Sequence, residues 1–420
     1  MRRSLHDHSR LGSDKKSSLG MEALESRRLF SATPSLNLES SGIASAAAQG
    51  NVKLPYSYYV TGNAGDKVVN LPATSSGLAL VGGGTDVDEV FKWMGTKANG
   101  GDFLVIRATG TNAYNRYIDG LVPSLDSVAT LIIPDLAAAM HPDVKTIMQG
   151  AEAIFIAGGD QANYVNFWNN TLVEAEIYEA VLDNVPIGGT SAGLAVLGDI
   201  DFSAVNGTIT SADALLNPRD PRIIGGLKND FLTPDESTPR MNNTILGYMD
   251  NLITDSHFMQ RDREGRLLTF MANMDARDLV PSLPRAIGVN EQTALLIESD
   301  GMAKVVGNSY SKRLPPSEQQ RSVYLFQGNT PDPSLNAPLN YSAQGVIANY
   351  DPSLPTPNGD SFDLDYLFAS TSKWSHPVLD QYDLTAVNGV ISRGTIASNF
   401  ANYYDPTHSE TDAKRRSRLV

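Results

Sequence analysis

The sequence predicts an α/β fold in which a mostly parallel central sheet is buried on both faces. Between residues 77 and 187, short apolar runs alternate with stretches of helical periodicity, and each run ends in glycine or small polar residues. This alternation is typical of βαβ units, whose strands are covered by helices on both sides. Because ligands bind beyond the carboxyl ends of such strands, we expect the functional site at these glycine-rich ends.

The predicted elements follow in a regular order along the chain. A helix is predicted after the first strand, because apolar residues recur at helical spacing from Val87 to Met94. One long helix is predicted over residues 162–182. The predicted strands are residues 77–81, 103–106, 130–133, 153–156, 185–187, 304–306, 323–326, 363–369 and 387–391.

The composition excludes several classes of function. The 420-residue chain carries 47 Asp and Glu against 33 Lys and Arg, so its formal net charge is -14. A generic nucleic-acid binder, which needs basic surface to displace counterions, is therefore excluded. The absence of cysteine excludes disulfides, thiolate metal sites and a cysteine nucleophile. The sequence has no run of about 20 apolar residues that would predict a membrane-spanning helix.

Residues 1–50 are predicted to form a leader outside the fold. The segment 31–50 is rich in Ser and Ala, and no apolar core of a secretory signal peptide follows the basic start. Residues 21–32, MEALESRRLFSA, resemble the bacterial export-associated motif LEPRxLLSA, with Ser26 in place of the usual proline. The leader therefore predicts an exported or envelope-associated protein, and a disordered basic tail on a cytoplasmic protein is the alternative.

The strongest local motif is Gly189-Thr-Ser-Ala-Gly193, which fits the G-x-S-x-G pattern. It lies directly after a predicted strand and before a short apolar run, the context of a nucleophile elbow. There the flanking glycines avoid steric clashes, and the helix N-terminus offers backbone N–H groups to an oxyanion. Ser191 is therefore a candidate nucleophile, with an ordinary glycine-rich turn as the alternative.

His257 is the favoured general base for such a serine. The chain has six histidines, of which two lie in the leader and one lies near the C-terminal end. Two others directly precede proline, which is typical of turns. Elimination leaves His257, in the middle of the globular region.

A carboxylate should orient this histidine as the third member of a triad. Asp255 is close to the histidine in sequence, and Glu291 follows a strand-like run. Asp199 and Asp201 follow the candidate elbow. The residues alone do not choose among these four.

Two further strings flank the candidate site. Residues 157–161, AGGDQ, end the strand expected beside the serine loop, and their N–H groups could complete an oxyanion hole. A plain turn with Asp160 as a helix cap is the alternative. Arg261, Arg263 and Arg266 suit carboxylate recognition. Acidic residues interleave with these arginines, so their spacing by itself favours a solvated, ion-paired loop.

Taken together, these strings resemble the cyanophycinase branch of the S51 serine peptidases. Leu-Val-Gly-Gly-Gly, Gly-Gly-Asp-Gln, Gly-Thr-Ser-Ala-Gly and Asp-x-His-Phe-x-x-Arg-x-Arg-x-x-Arg occur in that order within residues 77–300. The resemblance implies a flavodoxin-like three-layer sandwich, related to class I glutamine amidotransferase domains. It implies that Ser191 is the nucleophile, His257 the base and Glu291 the third triad member. Asp199, Asp201 and Asp213 stay open as alternative acids.

The resemblance also assigns residues to substrate and oxyanion binding. The oxyanion hole is expected at the backbone of Gly159, Asp160 and Ala192. The substrate-binding residues that it implies are Gln161, Asp255, Arg261, Arg263 and Arg266. Neither a metal nor an organic cofactor is implied.

The implied activity is hydrolysis of aspartyl peptide bonds through an acyl-enzyme. The leading substrate is cyanophycin, the β-Asp-Arg polymer, or its fragments. Family members usually read Asp-Gln-His where this chain reads Asp-Ser-His, so a substrate-contacting glutamine is lost at Ser256. An isoaspartyl or α-aspartyl dipeptidase is one alternative, and a catalytically silent envelope binding module is another. A peptide or Asp/Arg polymer is the expected partner, and the oligomeric state, a homodimer included, is left open.

The predicted domain organisation has four parts. Residues 76–326 form an S51-type catalytic domain after the leader of residues 1–50. Residues 327–358, rich in Pro, Asn, Ser and Gly, predict an insertion or long loop. Residues 359–420 form a strand- and loop-rich C-terminal extension that ends in a basic tail.

Overall fold

Two β-sheets and the helices packed on them make up the part of the chain that the computed structural model describes. The described residues are 53–228, 244–310, 319–329, 335, 337–352, 358–364, 367 and 379–394. The predicted leader and the basic C-terminal tail lie outside these residues. No helix within the described ranges is long and apolar enough to cross a membrane.

The strands and the α-helices of the described residues are numbered separately, each in chain order. The strands are β1 Ser57–Gly62, β2 Gly77–Val81, β3 Asp102–Arg107, β4 Ser127–Ile132, β5 Ala153–Ile156, β6 Ile187–Thr190, β7 Asp201–Phe202, β8 Leu227–Lys228, β9 Leu252–Asp255, β10 Arg285–Val289, β11 Thr293–Glu298, β12 Met302–Gly307, β13 Ser322–Gly328, β14 Tyr341–Asp351, β15 Asn358–Gly359, β16 Ser361–Asp363, β17 Asp380–Gln381, β18 Leu384–Val387 and β19 Val390–Arg393. The α-helices are α1 Asp88–Lys97, α2 Ala113–Leu121, α3 Leu136–Ala139, α4 Pro142–Gln149, α5 Gln161–Trp168, α6 Leu172–Leu182, α7 Ala192–Ala195, α8 Ser211–Leu216, α9 Pro221–Ile224 and α10 Glu264–Ala276.

The first sheet has nine strands in the order β1-β4-β3-β5-β6-β2-β11-β12-β16. Five neighbouring strands, β4, β3, β5, β6 and β2, run parallel to one another. Antiparallel strands flank them on both sides. The predicted α/β fold with a mostly parallel central sheet is therefore confirmed. The carboxyl ends of β2, β5 and β6 meet at one edge of this sheet.

Helices cover both faces of the first sheet, so the fold has three layers. On β3, Phe103 and Val105 join a core with Phe91 of α1. Leu104 of the same strand points to the other face and joins the core that contains Trp168 of α5. Because side chains alternate along a strand, a continuous apolar run fills both cores at once.

A second sheet lies beside the first and supplies the rest of the fold. Its order is β19-β18-β14-β13-β10-β9, and β15 and β17 also pair with β14. Helix α10 packs on one face through Leu267 and Phe270, against Tyr324 of β13. The opposite face, including Ile287 and Leu325, joins the core of the first sheet. The two sheets therefore share a core.

The long helix predicted over residues 162–182 is in fact two helices, α5 and α6. Asn170 between them has a φ of 57°, a left-handed conformation that interrupts helical hydrogen bonding. Thr171 then starts α6, and its Oγ1 accepts a hydrogen bond from the Val173 N–H. The apolar periodicity continues across the break, which is why the pattern alone predicted one helix.

The C-terminal region is more regular than the sequence predicted. The loop predicted at residues 327–358 is wrong over β14, an eleven-residue strand in the second sheet. The strand predicted at 387–391 is instead the centre of a hairpin, because Asn388 and Gly389 have φ values of 49° and 75° and connect β18 to β19. Strand β13 crosses the predicted domain boundary at residue 326, and the extension contributes β17 to β19 to the same sheet. The four-part organisation otherwise remains a prediction.

Candidate active site

Ser191 lies at a sharp turn between the end of β6 and the start of α7. Its φ of 54° and ψ of -108° are rare for a residue with a side chain. A Cβ on Gly193 would lie 2.1 Å from the Ile156 carbonyl oxygen, and one on Gly189 would lie 2.4 Å from the Gly193 oxygen. The two glycines of the motif therefore allow a close backbone approach that forms the predicted elbow.

His257 follows β9 of the second sheet and contacts Ser191 directly. The distance from its Nε2 to the Ser191 Oγ is 2.7 Å. The histidine has a φ of 48°, and its backbone N–H donates to the Gly82 carbonyl at 2.8 Å. This bond attaches the histidine loop of the second sheet to the end of β2 in the first.

Glu291, just beyond β10, is the carboxylate that contacts His257. Its Oε1 lies 2.6 Å from the His257 Nδ1. The Glu291 N–H donates to the side-chain oxygen of Gln260 at 3.0 Å. Sequence reasoning missed Gln260, because nothing in the local pattern indicates a bond to a residue 31 positions away.

The alternative acids have other partners. The Asp199 carboxylate accepts from the Asn251 N–H at 2.8 Å. Asp213 lies 3.5 Å from the Arg222 guanidinium. Asp201 is buried on β7, next to its antiparallel partner β8. The hydrogen-bonding geometry favours Glu291 as the acid.

Two of the three consecutive glycines after β2 make room for the histidine and the glutamate. A Cβ on Gly83 would lie 2.5 Å from both Cε1 and Nε2 of His257. A Cβ on Gly84 would approach the Glu291 side chain to 3.1 Å. Both glycines have positive φ, 91° and 78°. The sequence predicted that these glycines end a strand. It did not predict that Gly83 faces the imidazole, because His257 follows a strand of the second sheet.

The environment of His257 favours the neutral imidazole. Burial lowers the pKa of His257, and the charges of Arg261 and Arg263 lower it further, against a rise from the hydrogen bond to Glu291. A neutral imidazole can accept the Ser191 proton, so a reaction that uses this base is expected to keep its rate at pH 6.5, the ordinary pKa of histidine, and to slow only at more acidic pH.

Asp255 forms a buried ion-pair cluster with Arg263 and Arg266 behind the histidine. Arg266 donates from Nε to Asp255 Oδ2 at 2.7 Å and from Nη2 to Oδ1, and Arg263 donates to Oδ1 at 2.8 Å. Burial opposes ionisation of Asp255, yet the two guanidinium charges outweigh it and lower the pKa of the carboxyl. Burial lowers the pKa of Arg263 to about 10.

The cluster is buried, whereas the spacing of the arginines alone favoured a solvated, ion-paired loop. Asp255 and Arg266 are only 3% and 4% exposed. Both Asp255 carboxylate oxygens accept hydrogen bonds from arginines within the chain. Substrate binding by Asp255, Arg263 and Arg266 stays a prediction, and these internal bonds favour a structural role for Asp255 and Arg266.

The other predicted site residues lie around Ser191 and His257. Arg261 is exposed, and its N–H donates to the His257 carbonyl at 3.0 Å. Gln161, half-buried, donates to the Phe202 carbonyl at 3.3 Å. Asp160 caps α5 by accepting from the Ala162 N–H at 3.0 Å. Helix capping was the predicted alternative to a role in the oxyanion hole.

The backbone positions predicted for the oxyanion hole lie on either side of Ser191. Ala192 is the first residue of α7. A Cβ on Gly158 would lie 3.5 Å from the Ser191 Cβ, so the loop that continues to Gly159 and Asp160 runs past the serine. Their role toward an oxyanion stays a prediction.

A serine, a histidine and a carboxylate, hydrogen-bonded in series at the ends of strands, form the arrangement of a serine-hydrolase triad. The fold and this arrangement define the class as an α/β protein with a hydrolase-type site. Residues 107–215 match the model of Peptidase family S51. The predicted resemblance to cyanophycinase-like S51 peptidases is thereby confirmed. The matched region contains Ser191 and ends before His257 and Glu291.

The chain is also similar to individual proteins. The chain is 28% identical over 215 residues to a cyanophycinase from Nostoc sp., a match that covers 51% of this chain and 60% of that protein. It is 28% identical over 223 residues to a cyanophycinase from Geminocystis herdmanii, covering 53% and 63%. The crystal structure of a peptidase from an acI-B1 actinobacterium aligns with a TM-score of 0.40 and 17% identity, over 69% of this chain and 96% of that one. The chain thus spans about 60% of the length of the curated relatives it matches.

Proposed function

We propose that the protein is a serine-type peptidase that hydrolyses aspartyl peptide bonds. The observation that carries the proposal is the unbroken hydrogen-bond series from the Ser191 Oγ through His257 to Glu291, at 2.7 and 2.6 Å. Removing a proton from a serine hydroxyl requires an adjacent base, and that base requires a group that fixes its tautomer. The region matched to the S51 family supports the peptidase class.

The reaction follows from this geometry. The Ser191 Oγ attacks the scissile carbonyl carbon while the His257 Nε2 takes the hydroxyl proton. The tetrahedral oxyanion is stabilised by N–H groups of Ala192 and of the loop at Gly159 and Asp160. The C–N bond then breaks, and the His257 Nε2 gives its proton to the leaving amine. Water, deprotonated by the same nitrogen, hydrolyses the resulting acyl-enzyme.

The leading substrate is the β-Asp-Arg polymer cyanophycin or its fragments. The relatives in which the similarity is found are named cyanophycinases. Arg261 is exposed and hydrogen-bonded through its backbone to His257, so its guanidinium is available beside the site for a substrate carboxylate. Gln161 supplies a neutral polar group near the start of α5.

A second candidate is the hydrolysis of short aspartyl or isoaspartyl dipeptides. Ser256, which replaces the glutamine usual in the family, is 3% exposed and its Oγ lies 3.3 Å from the Arg263 Nη1. The buried Ser256 side chain faces this internal arginine and is not presented to a substrate as an exposed glutamine would be. The loss of this contact is the observation that supports the second candidate.

The test compares the wild type, Ser191→Ala and the control Ser282→Ala, an exposed serine outside the site. Each protein is assayed for release of β-Asp-Arg from cyanophycin and for cleavage of Asp-X and isoAsp-X dipeptides by mass spectrometry. Ser191→Ala is expected to lower kcat by about 10⁶-fold and Ser282→Ala to leave it unchanged. The substrate with the higher kcat/KM decides between the two candidates.

Full activity in Ser191→Ala would refute the mechanism. A wild type that binds these peptides, cleaves none of them and is not labelled at Ser191 by a fluorophosphonate would instead support the silent binding module.

A further inference from the structure

The last strands of the second sheet contact the first turn of helix α10 through a buried glutamate. The Glu264 side chain is 1% exposed and pairs with Arg393 of β19, which is 20% exposed. Arg393 Nη2 donates to Oε2, and Arg393 Nε donates to Oε1 at 3.1 Å. The Tyr382 hydroxyl also donates to Oε1, and Arg393 Nε lies 2.9 Å from that hydroxyl oxygen. Two residues distant in sequence thus hold the start of α10.

The same turn of α10 carries the arginines of the buried cluster. Arg263 directly precedes Glu264, and Arg266 follows two positions later. Both arginines bind Asp255, at the end of β9. Any movement of the first turn of α10 therefore moves two guanidinium groups relative to β9.

Arg263 also holds the backbone that leads into the candidate base. Its Nη1 donates to the Ser256 carbonyl at 2.8 Å. The next residue, His257, has the left-handed φ of 48°. Such a conformation is uncommon for a residue with a side chain and persists only where the surrounding structure fixes it. The Arg263 hydrogen bonds supply such a restraint one residue before the histidine.

We infer that Arg393 and Tyr382 are positioning residues for His257, acting through Glu264 and the start of α10. The connection runs from Arg393 to Glu264, along the chain to Arg263, and through the Arg263 hydrogen bond to the Ser256 carbonyl, one residue before His257. The inference rests on the proposed function in that the positioned group is the proposed base. It gives the C-terminal strands a role in the site that their sequence did not predict.

The test uses the full chain with Arg393→Leu, Arg393→Lys and Tyr382→Phe. Arg393→Leu is expected to lower kcat about three- to thirtyfold, with KM within twofold, the range seen along coupled networks. Arg393→Lys restores a cation opposite Glu264 and is expected to recover part of the loss. Tyr382→Phe keeps the ring in the core and removes both hydrogen bonds of the hydroxyl but leaves the Arg393–Glu264 ion pair, so its effect is smaller.

The pH profile separates positioning from a general loss of stability. Burial lowers the pKa of His257, against the hydrogen bond to Glu291, and the positive charges of Arg261 and Arg263 lower it further. Loosening Arg263 in the Arg393→Leu variant should raise this pKa, so that the acid limb of kcat moves to higher pH.

The matched control is Lys145→Leu. The Lys145 Nζ lies 3.1 Å from Oε1 of Glu176, a glutamate whose side chain is 3% exposed. This variant also leaves a buried carboxylate without its cation, on helices α4 and α6. Equal losses of kcat in Lys145→Leu and Arg393→Leu would overturn the inference. So would a folded Arg393→Leu variant with the kcat and acid limb of the wild type.

A readout that needs no turnover keeps this inference distinct from the proposed function. The low-field proton resonance of the His257 Nδ1–H reports its hydrogen bond to Glu291. It is expected to shift in Arg393→Leu and to stay in place in Lys145→Leu. A wild type without peptidase activity refutes the proposed function, whereas a resonance that is unchanged in Arg393→Leu refutes the positioning role.

Discussion

Two residues of the candidate site adopt backbone angles that are uncommon for residues with side chains. Ser191 and His257 have φ values of 54° and 48°. The Ser191 N–H donates to the Val81 carbonyl at 3.1 Å, and the His257 N–H donates to the carbonyl of the next residue, Gly82, at 2.8 Å. Adjacent peptide groups at the end of β2 therefore fix both residues. This shared attachment accounts for the close approach of Oγ and Nε2.

The substitution Gly83→Ala is expected to lower activity strongly. The added Cβ would lie 2.5 Å from the His257 Nε2, and the φ of 91° at this position disfavours a side chain. Displacing the imidazole by about 1 Å costs on the order of 10²-fold in kcat. The measurement is kcat on the better of the candidate substrates, with folding checked by circular dichroism.

The control for Gly83→Ala is Gly120→Ala in helix α2. A Cβ at Gly120 meets no atom within 4 Å, so this variant is expected to keep full activity. Replacing a helical glycine should raise the free energy of unfolding by about 0.5–1 kcal/mol. Wild-type kcat in Gly83→Ala would show that the glycine is not needed to place the imidazole.

Part of the site was predictable from the sequence and part was not. Ser191 was, because the motif, the strand before it and the turn are contiguous in the chain. His257 followed by elimination among six histidines. The acid was left open, because Glu291 lies 34 positions from His257 and the end of β10 brings it there. The sequence also did not tell whether Arg266 points to solvent or to Asp255.

At the scale of elements, the start of helix α6 depends on one side chain. The Thr171 Oγ1 accepts from the Val173 N–H at 3.2 Å and donates to the Trp168 carbonyl. Thr171→Ala is expected to lower the free energy of unfolding by about 1–2 kcal/mol, because both bonds are lost in a buried position. Chemical denaturation measures this change, and kcat should remain that of the wild type.

The control for Thr171→Ala is Thr96→Ala on helix α1. The Thr96 hydroxyl donates to the Lys92 carbonyl on an exposed surface, so its removal should change the free energy of unfolding by less than about 0.5 kcal/mol. Similar destabilisation in both variants would mean that Thr171 does not cap α6 in solution.

The elements were predictable where the chain is apolar and continuous. Strands such as β2 and β5 are buried on both faces, and their runs of Leu, Val and Ile stand out. Strand β14 was missed, because the Pro- and Asn-rich composition around it outweighed its own alternation. That alternation is present: Tyr341, Ala343 and Ile347 face the core of α10. The break at Asn170 was missed because asparagine adopts a left-handed conformation without a distinctive pattern.

For the whole molecule, stability and activity are expected to respond to pH in opposite directions. Glu152, at the start of β5, is 7% exposed and accepts from the Asp102 N–H at 2.7 Å. Burial raises the pKa of Glu152 from 4.5 to about 7. The folded state then holds a proton that the unfolded chain has lost, so stability declines as pH rises from 4.5 through 7. The neutral form of His257, whose pKa is lowered below 6.5, instead increases as pH rises.

The substitution Glu152→Gln should flatten this decline. The free energy of unfolding, measured by chemical denaturation between pH 4.5 and 8, is expected to fall less in the variant than in the wild type. The difference is on the order of 3 kcal/mol at most. Glu89→Gln, at an exposed position on α1, is the control and should retain the wild-type slope. Identical slopes in wild type and Glu152→Gln would remove Glu152 as the origin of the pH dependence.

The division of the candidate triad between two sheets has a consequence for the order of events in folding. Ser191 follows a strand of the first sheet, whereas His257 and Glu291, 66 and 100 residues further along the chain, follow strands of the second. Neither sheet alone carries the complete hydrogen-bond series. The first appearance of turnover during refolding would therefore time the docking of the two sheets. A nascent chain would likewise stay inert until its C-terminal half had emerged and folded.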